Sequence, residues 1–381
     1  MALNPLLELQ IFGQSVWYDN LSRGLITSGE LRKKIEEDGL RGITSNPAIF
    51  EKAITGSTEY DEALKELARQ GKSAEEIYEE LVVQDIQMAS DLLQPVYEKT
   101  NGIDGYVSLE VSPHLARNTV GTISEALRLW QRVNRKNLMI KVPATPEGLP
   151  AIDQLITRGL NINITLIFSQ EVYEQVAYAY LSGLEKRVAE GKPLDTVASV
   201  ASFFVSRIDT AVDALLEARI RQTTHEQERM KLSSLLGKVA IANAKLAYQR
   251  FKQIFHSDRF RALEKKGARV QRPLWASTGT KNPKYSDVLY VESLIGPNTI
   301  NTMPPATYQA FRDHGRVRPT LEEDIPGARQ TLHTLAEVGI DLGQVTAELL
   351  EAGIKLFAEP FDKLLRAIEE KRNTVLHEKS S

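Results

Sequence analysis

The sequence predicts an α/β protein with the architecture of a (β/α)8 TIM barrel, extra helices and a helical C-terminal extension. Eight short apolar runs end in polar residues, and a helical pattern follows each run. Strands buried on both faces read as continuous apolar runs, as in parallel sheets with helical crossovers. A doubly wound sheet is the main structural alternative, but no Gly-x-Gly-x-x-Gly follows the first run. The eight runs are SVWYD (15–19), GITSN (42–46), YVSLEV (106–111), NLMIKVPA (137–144), NINITLIF (161–168), SVASFFVS (199–206), RPLWAST (272–278) and NTINTMP (298–304).

The segments between the runs have helix start and stop signals. SGELRKKIEEDG (28–39) begins with a serine cap and ends at a glycine, and the longer segment from Ser169 to Gly191 does the same. Eight strand–helix units need about 250 residues, so the surplus must lie in insertions. We place it in helices at 59–100 and 209–268 and in a helical tail. The predicted division is a barrel over 1–318 and an extension over 319–381, packed on the bottom or flank of the barrel.

Composition excludes several classes of protein. The 381 residues are 42% hydrophobic and 25% charged, with a net charge of -3 and no cysteine. This balance gives no general attraction to nucleic acid or anionic membranes, and it leaves no disulfide or thiolate metal site. Because no window resembles a secretion signal or a membrane span, we expect a cytoplasmic protein.

Polar side chains gather at the ends of the predicted strands. Active sites in TIM barrels lie at the carboxyl ends of the strands, so these side chains are expected to share one mouth. Each residue alone has an ordinary structural explanation: Asp19 caps a turn, and Thr165 is a common strand residue. Together they predict a site formed by Asp19, Asn46, Glu110, Lys141, Asn163, Thr165, Ser202 and Ser277.

Lys141 lies in the middle of an apolar strand. One explanation is structural, in which the lysine extends out of the barrel or pairs with Glu110. The other is chemical, because desolvation favours a neutral amine that attacks a ketone and forms a Schiff base. Glu110 would relay protons to the carbinolamine through a water, and Asp19 would take the proton of the hydroxyl that becomes a carbonyl. Asn46 and Asn163 would hold sugar hydroxyls without adding charge.

Five motifs resemble those of the transaldolase family in its longer bacterial form. They occur in order over nearly the whole chain: GITSNPAIFEKAI, VSLEVSPHLARNT, NLMIKVPATPEGLPAI, GLNINITLIFSQEVY and FFVSRID. The resemblance implies transfer of a dihydroxyacetone unit from sedoheptulose 7-phosphate to glyceraldehyde 3-phosphate. The products would be erythrose 4-phosphate and fructose 6-phosphate, in the non-oxidative pentose phosphate pathway. It implies no metal and no organic cofactor.

Each motif matches site residues of the family to single residues of this chain. The resemblance implies that Lys141 is the Schiff-base lysine, with Asp19 and Glu110 as the acid–base carboxylates. It places the family's other site residues on Asn46, Asn163, Thr165 and Ser202, and a phosphate-binding arginine on Arg207.

The segment after the seventh strand departs from the family pattern. Many transaldolases have Ser-Phe-Arg there, whereas this chain reads WASTGTKNPKYSD, with Ser277 aligned and the arginine absent. We expect Lys281 to replace that arginine, with the glycine turn bringing backbone N–H groups to the phosphate. The alternative is a solvated loop lysine. A lysine binds phosphate as a point charge rather than as a planar fork.

Two other functions are compatible with the residues. Another Schiff-base aldolase, such as a fructose 6-phosphate or deoxyribose-phosphate aldolase, would keep Lys141 and release a free product. A sugar-phosphate-binding barrel without catalysis would leave Lys141 inert. Measuring whether activity depends on an acceptor distinguishes such an aldolase from a transaldolase. Borohydride trapping of an adduct on Lys141 tests whether the barrel is non-catalytic.

Overall fold

The computed structural model describes residues 4–378 and contains a closed barrel of eight parallel strands, so the predicted fold class is confirmed. The strands pair in chain order, and the eighth pairs with the first from Gln14↔Thr299 to Tyr18↔Met303. All of them are almost wholly buried. The strands are β1 (Gln14–Asp19), β2 (Gly42–Thr44), β3 (Tyr106–Glu110), β4 (Leu138–Pro143), β5 (Ile162–Ile167), β6 (Ser199–Phe204), β7 (Arg272–Ala276) and β8 (Thr299–Met303).

Helices surround the barrel and fill the predicted insertions. Two short 3₁₀ turns, Leu9–Phe12 and Pro113–Leu115, accompany them. The helices are α1 (Pro5–Glu8), α2 (Arg23–Thr27), α3 (Glu30–Glu37), α4 (Pro47–Thr55), α5 (Asp61–Arg69), α6 (Ala74–Lys99), α7 (Thr119–Val133), α8 (Gly148–Thr157), α9 (Gln170–Ala189), α10 (Ser206–Gln222), α11 (Glu226–Ser233), α12 (Val239–Phe255), α13 (Asp258–Glu264), α14 (Leu289–Glu292), α15 (Pro305–His314), α16 (Ile325–Glu337) and α17 (Leu342–Glu378). Within residues 4–378, no helix combines the length and apolar character that crossing a bilayer requires.

Several strands end earlier than the apolar runs suggest, because the final polar residues begin the next element. Asn46 is extended and caps α4, and its Oδ1 accepts from the Ile49 N–H at 3.1 Å. This is a standard N-cap followed by proline at the first helical position. After β7, Ser277 has a φ of 53°, a left-handed conformation that ends the strand. The mouth therefore carries caps and turns as well as strand residues.

A buried carboxylate organises the opposite, amino-terminal end of the barrel. Asp104 accepts from Ser15 Oγ at 2.7 Å, from Trp17 Nε1 at 3.0 Å and from Arg272 Nη2 at 2.8 Å. Burial alone would raise the pKa of Asp104, but the Arg272 charge and these hydrogen bonds outweigh it and hold the pKa below its usual value. Trp17 also explains Gly42, because a Cβ there would lie 2.3 Å from the indole. The amino-terminal end of the barrel thus contains a polar cluster in which Asp104 is fully hydrogen-bonded.

The C-terminal tail does not lie where we expected. Only α16 follows the prediction, packing on α12 at the flank of the barrel. The last helix, α17, instead crosses the carboxyl end, where Phe357 lines the central cavity. Gly353, one turn earlier, lies so close to the barrel that a Cβ there would be 2.8 Å from Leu166. The bottom-or-flank prediction was wrong for α17, because periodicity defines an apolar face but not its partner.

Candidate active site

A cavity of about 210 Å³ opens at the carboxyl end of the barrel. Alternate residues of the strands line it, as expected for side chains that point to the inside of a barrel. Seven of the ten predicted site residues line this cavity directly: Asp19, Asn46, Lys141, Ser202, Arg207, Ser277 and Lys281. The other three, Glu110, Asn163 and Thr165, are buried beside it. The structure therefore brings the predicted set together.

Lys141 lies at the base of this cavity and is only 4% exposed. Its ammonium donates to the Ser45 carbonyl at 3.1 Å and lies 3.4 Å from Glu110 Oε2. The Phe357 ring covers it, with 5.6 Å between Nζ and the ring centroid. The Lys141 side chain thus lines the cavity, where a ketone can reach its amine.

Glu110 is the register partner of Lys141 on the neighbouring strand. Burial raises the pKa of Glu110 to about 7, although the charge of Lys141 opposes the shift. Its Oε2 makes no hydrogen bond within residues 4–378. Glu110 and Asn46 also border a second cavity of about 320 Å³, lined in part by Tyr78 and Glu125. Glu110 is therefore a buried carboxyl poised to exchange a proton near neutral pH.

Asp19 ends β1 and lines the same cavity as Lys141. Thr44 Oγ1 donates to Asp19 Oδ1 at 2.7 Å. Burial raises the pKa of Asp19 above its usual value. The charge of Lys141 and the Thr44 hydrogen bond act in the opposite direction, followed by the charges of Arg207 and Lys281. The site thus contains two carboxyl groups with raised pKa values.

A chain of hydrogen bonds fixes the amide at the cavity wall. Ser202 Oγ donates to Asn163 Oδ1 at 2.7 Å, and Asn163 Nδ2 donates to Ser108 Oγ at 3.0 Å. Both neighbours orient the Asn163 side chain, so the direction of its second amide N–H, which is left free to donate within residues 4–378, is fixed. Two residues along the same strand, the buried Thr165 hydroxyl makes no hydrogen bond within the described chain. An unpartnered buried hydroxyl is costly unless a ligand or water completes it.

Two further cations, Arg207 and Lys281, line the same cavity. Arg207, the second residue of α10, lies over the Phe204 ring at 5.1 Å, and its buried Nη1 has no hydrogen-bond partner within residues 4–378. Lys281 lies in the loop after β7, and its Nζ would be 3.8 Å from a Cβ on Gly279. Ser277 Oγ is 2.9 Å from the hydroxyl of Ser206, the residue before Arg207. These residues supply the positive charge and the unsatisfied donor that an anion needs.

Thr44 and Phe357 are among the cavity-lining residues that the sequence analysis did not predict. Thr44 orients Asp19, and the GIT run already placed it two positions before Asn46, on the same face of the chain. That spacing was a usable signal. Phe357 lies more than 200 positions from Lys141 in a helix without a recognisable motif, so no local pattern could assign it. Among residues 4–378, no group of three histidine, aspartate or glutamate side chains is arranged to hold a metal ion.

Comparison with known proteins agrees with this geometry. A family model described as transaldolase/fructose-6-phosphate aldolase matches residues 16–368. The transaldolase of Trichodesmium erythraeum is 52% identical over 373 residues, covering 97% of this chain and 98% of the relative. The transaldolase of Thiobacillus denitrificans is 48% identical over 366 residues, covering 96% and 100%. That of Saccharopolyspora erythraea is 47% identical over 372 residues, covering 97% and 98%. The chain belongs to the transaldolase/fructose-6-phosphate aldolase family.

Proposed function

We propose that this protein is a cytoplasmic transaldolase acting through a Schiff base on Lys141. It transfers a dihydroxyacetone unit from sedoheptulose 7-phosphate to glyceraldehyde 3-phosphate, giving erythrose 4-phosphate and fructose 6-phosphate. One observation carries the proposal: a buried lysine amine lies 3.4 Å from a carboxyl group and lines a cavity that two other cations, Arg207 and Lys281, also line. A ketose phosphate has the matching groups, with a carbonyl near one end and a phosphate at the other.

The chemistry begins when Lys141 loses a proton and its amine attacks the ketose carbonyl. Glu110 accepts that proton and returns one through a water, so that the carbinolamine loses hydroxide as water and becomes an iminium. The cavity beside Glu110 gives room for such a water. Thr165 lies on β5, next to the strand of Lys141, and its unpartnered buried hydroxyl is available to bind a second water on that side of the site.

Carbon–carbon cleavage then uses the iminium as an electron sink. Asp19 removes the proton of the hydroxyl that becomes the aldehyde, the bond to the three-carbon unit breaks, and its electrons form an enamine on Lys141. The aldose product leaves, and the enamine attacks the acceptor aldehyde while Asp19 returns the proton. Hydrolysis of the new iminium frees Lys141. Asn46, Asn163 and Ser202 hold the sugar hydroxyls during these steps.

Acceptor dependence tests the transferase against a free aldolase. With fructose 6-phosphate as donor, we expect sustained product formation only when erythrose 4-phosphate is supplied as acceptor. Without acceptor, the three-carbon enamine should remain on the enzyme after one turnover. Rapid release of dihydroxyacetone without acceptor would identify a fructose 6-phosphate aldolase instead. The named relatives, all transaldolases matched over almost their full length, favour the transferase.

Loss of Arg207 should impair phosphorylated substrates selectively. The phosphate acts as a handle that positions the reacting carbons, and a charge-assisted contact contributes roughly 1.5–3 kcal/mol. Arg207→Ala should therefore raise KM for fructose 6-phosphate about ten- to a hundredfold, while the use of unphosphorylated fructose as donor changes little. Lys281→Ala should show the same selectivity more weakly, because water or Lys284 replaces a point charge more easily. Steady-state kinetics on both donors measures this. An unchanged ratio between donors in Lys281→Ala would show that this lysine is only a loop residue.

A further inference from the structure

The loop that carries Lys281 is anchored by two tyrosine–aspartate pairs. This segment, 277–288, contains no helix or strand and connects β7 to α14. Tyr285 in the loop donates its hydroxyl to Asp213 Oδ2 at 2.7 Å. Tyr290, in α14, donates to Asp209 Oδ2 at 2.8 Å. Both aspartates belong to α10, so the loop is fastened to that helix at two successive turns.

Each aspartate also binds a third element through its second oxygen. Asp213 Oδ1 accepts from the Gly237 N–H at 3.1 Å, and Asp209 Oδ1 accepts from the Ala240 N–H at 2.8 Å. These N–H groups lie at the start of α12. Gly237 has a φ of 69°, and a Cβ there would lie 2.8 Å from the Tyr285 ring, so glycine permits the close approach. The two aspartates therefore link the loop, α10 and the start of α12 by hydrogen bonds.

The two pairs act on the same helix that presents Arg207. Arg207 lies in the first turn of α10, and Asp209 and Asp213 follow at two and six positions along it. Lys281 is exposed and forms no hydrogen bond or ion pair within residues 4–378, so its own side chain does not fix its position. Its backbone is held instead, by the Ser277–Ser206 contact before it and by Tyr285 after it.

We infer that the Tyr285–Asp213 and Tyr290–Asp209 pairs are positioning pairs that set the spacing of Lys281 from Arg207 and thereby the preference for phosphorylated sugars. The inference rests on the proposed role of those two cations as phosphate ligands. A lysine on a mobile loop loses conformational freedom when it binds phosphate, whereas a held loop has already lost most of it. In this chain the anchored loop would compensate for the weaker phosphate binding of Lys281, whose single ammonium replaces the two-pronged guanidinium of an arginine.

Tyr285→Phe tests the inference, because it removes one hydroxyl from a partly accessible ring and keeps the packing. We expect KM for fructose 6-phosphate to rise about three- to tenfold, with kcat and the use of unphosphorylated fructose changed less than about twofold. Tyr290→Phe should act in the same direction. Tyr308→Phe is the matched control, because the Tyr308 hydroxyl donates to Asp38, at the end of α3, at 3.0 Å, a contact that involves neither α10 nor the loop. It should lower the melting temperature without changing the ratio between the two donors.

A double variant separates positioning from a general loss of stability. If Tyr285 acts through Lys281, Tyr285→Phe should add almost nothing to the KM effect of Lys281→Ala. Additive effects, or an unchanged donor ratio in Tyr285→Phe when Lys281→Ala does shift it, would overturn the inference alone. An unchanged donor ratio in Lys281→Ala would instead overturn the phosphate role of Lys281, and the inference with it. Equal shifts in Tyr285→Phe and Tyr308→Phe would show that the pairs serve stability only.

Discussion

Lys141→Met is expected to lose transaldolase activity by at least about 10³-fold. The thioether fills nearly the same volume but cannot form an iminium, so no electron sink is available when the carbon–carbon bond must break. Activity with sedoheptulose 7-phosphate and glyceraldehyde 3-phosphate, followed as fructose 6-phosphate formed, measures the loss. Substrate binding should survive, because Arg207, Lys281 and the cavity wall are unchanged.

The same variant should melt no lower than the parent at pH 6. Removing one member of a buried ion pair is normally costly, because it leaves an isolated charge. Here Glu110 has a pKa raised from 4.5 to about 7, so at pH 6 it mostly keeps its proton and leaves no charge behind. Since the folded-state pKa exceeds the unfolded one, the contribution of Glu110 to stability falls as pH rises between these values. The melting temperature of Lys141→Met should therefore fall relative to the parent in more alkaline buffer.

Lys34→Met is the control for a lysine that packs on aromatic rings away from the cavity. Lys34 Nζ lies 4.8 Å from the Tyr308 ring centroid, and its side chain is 14% exposed. This variant should keep activity close to that of the parent. If Lys141→Met retained a substantial fraction of the activity, the covalent mechanism would be wrong. If it unfolded at pH 6, the protonated state assigned to Glu110 would be wrong.

Asp19→Asn and Glu110→Gln are expected to fail at different steps. Asp19→Asn keeps the size of the side chain and the Thr44 contact but cannot accept the hydroxyl proton, so cleavage should slow by about 10²–10⁴-fold. Its iminium with fructose 6-phosphate should still form and be trapped by borohydride. Glu110→Gln cannot relay protons to the carbinolamine, so the trapped adduct should appear about a hundredfold more slowly.

The two variants control for each other, because both replace a carboxyl of the site with an amide of the same shape. Rapid-quench trapping over a time course gives the rate of adduct formation, and release of the aldose gives the rate of cleavage. Equal trapping rates in both variants would contradict the assignment of Glu110 to iminium formation. A trapping defect confined to Asp19→Asn would reverse the two roles.

The barrel was predictable because its strands are buried on both faces. The apolar runs around Val107, Ile140 and Ile164 marked strands that needed helices on the outside, and the structure contains all eight. The strand ends were less predictable, because Asn46 and Ser277 belong to a cap and a turn, whose local geometry outweighs the apolar pattern. The path of α17 across the mouth depends on a long-range contact of Phe357 with Lys141, which periodicity does not encode.

The members of the site were predictable, but their connections were not. Strand-end position placed Lys141, Glu110 and Asp19 at one mouth, and parallel register made Glu110 and Lys141 neighbours. The unpartnered Arg207 Nη1 and the anchoring of the loop after β7 depend on packing between distant helices. Such contacts have no periodic signature in the sequence. The sequence therefore indicated a phosphate role for Arg207 and Lys281 only through motif resemblance, and their contacts became visible only in the structure.

Borohydride reduction in the presence of fructose 6-phosphate, followed by peptide mapping, tests the Schiff base most directly. One reduced three-carbon unit per chain is expected on the side chain of Lys141, and no such label is expected in Lys141→Met. A label on a peptide that lacks residue 141, or equal labelling of the parent and Lys141→Met, would contradict this mechanism.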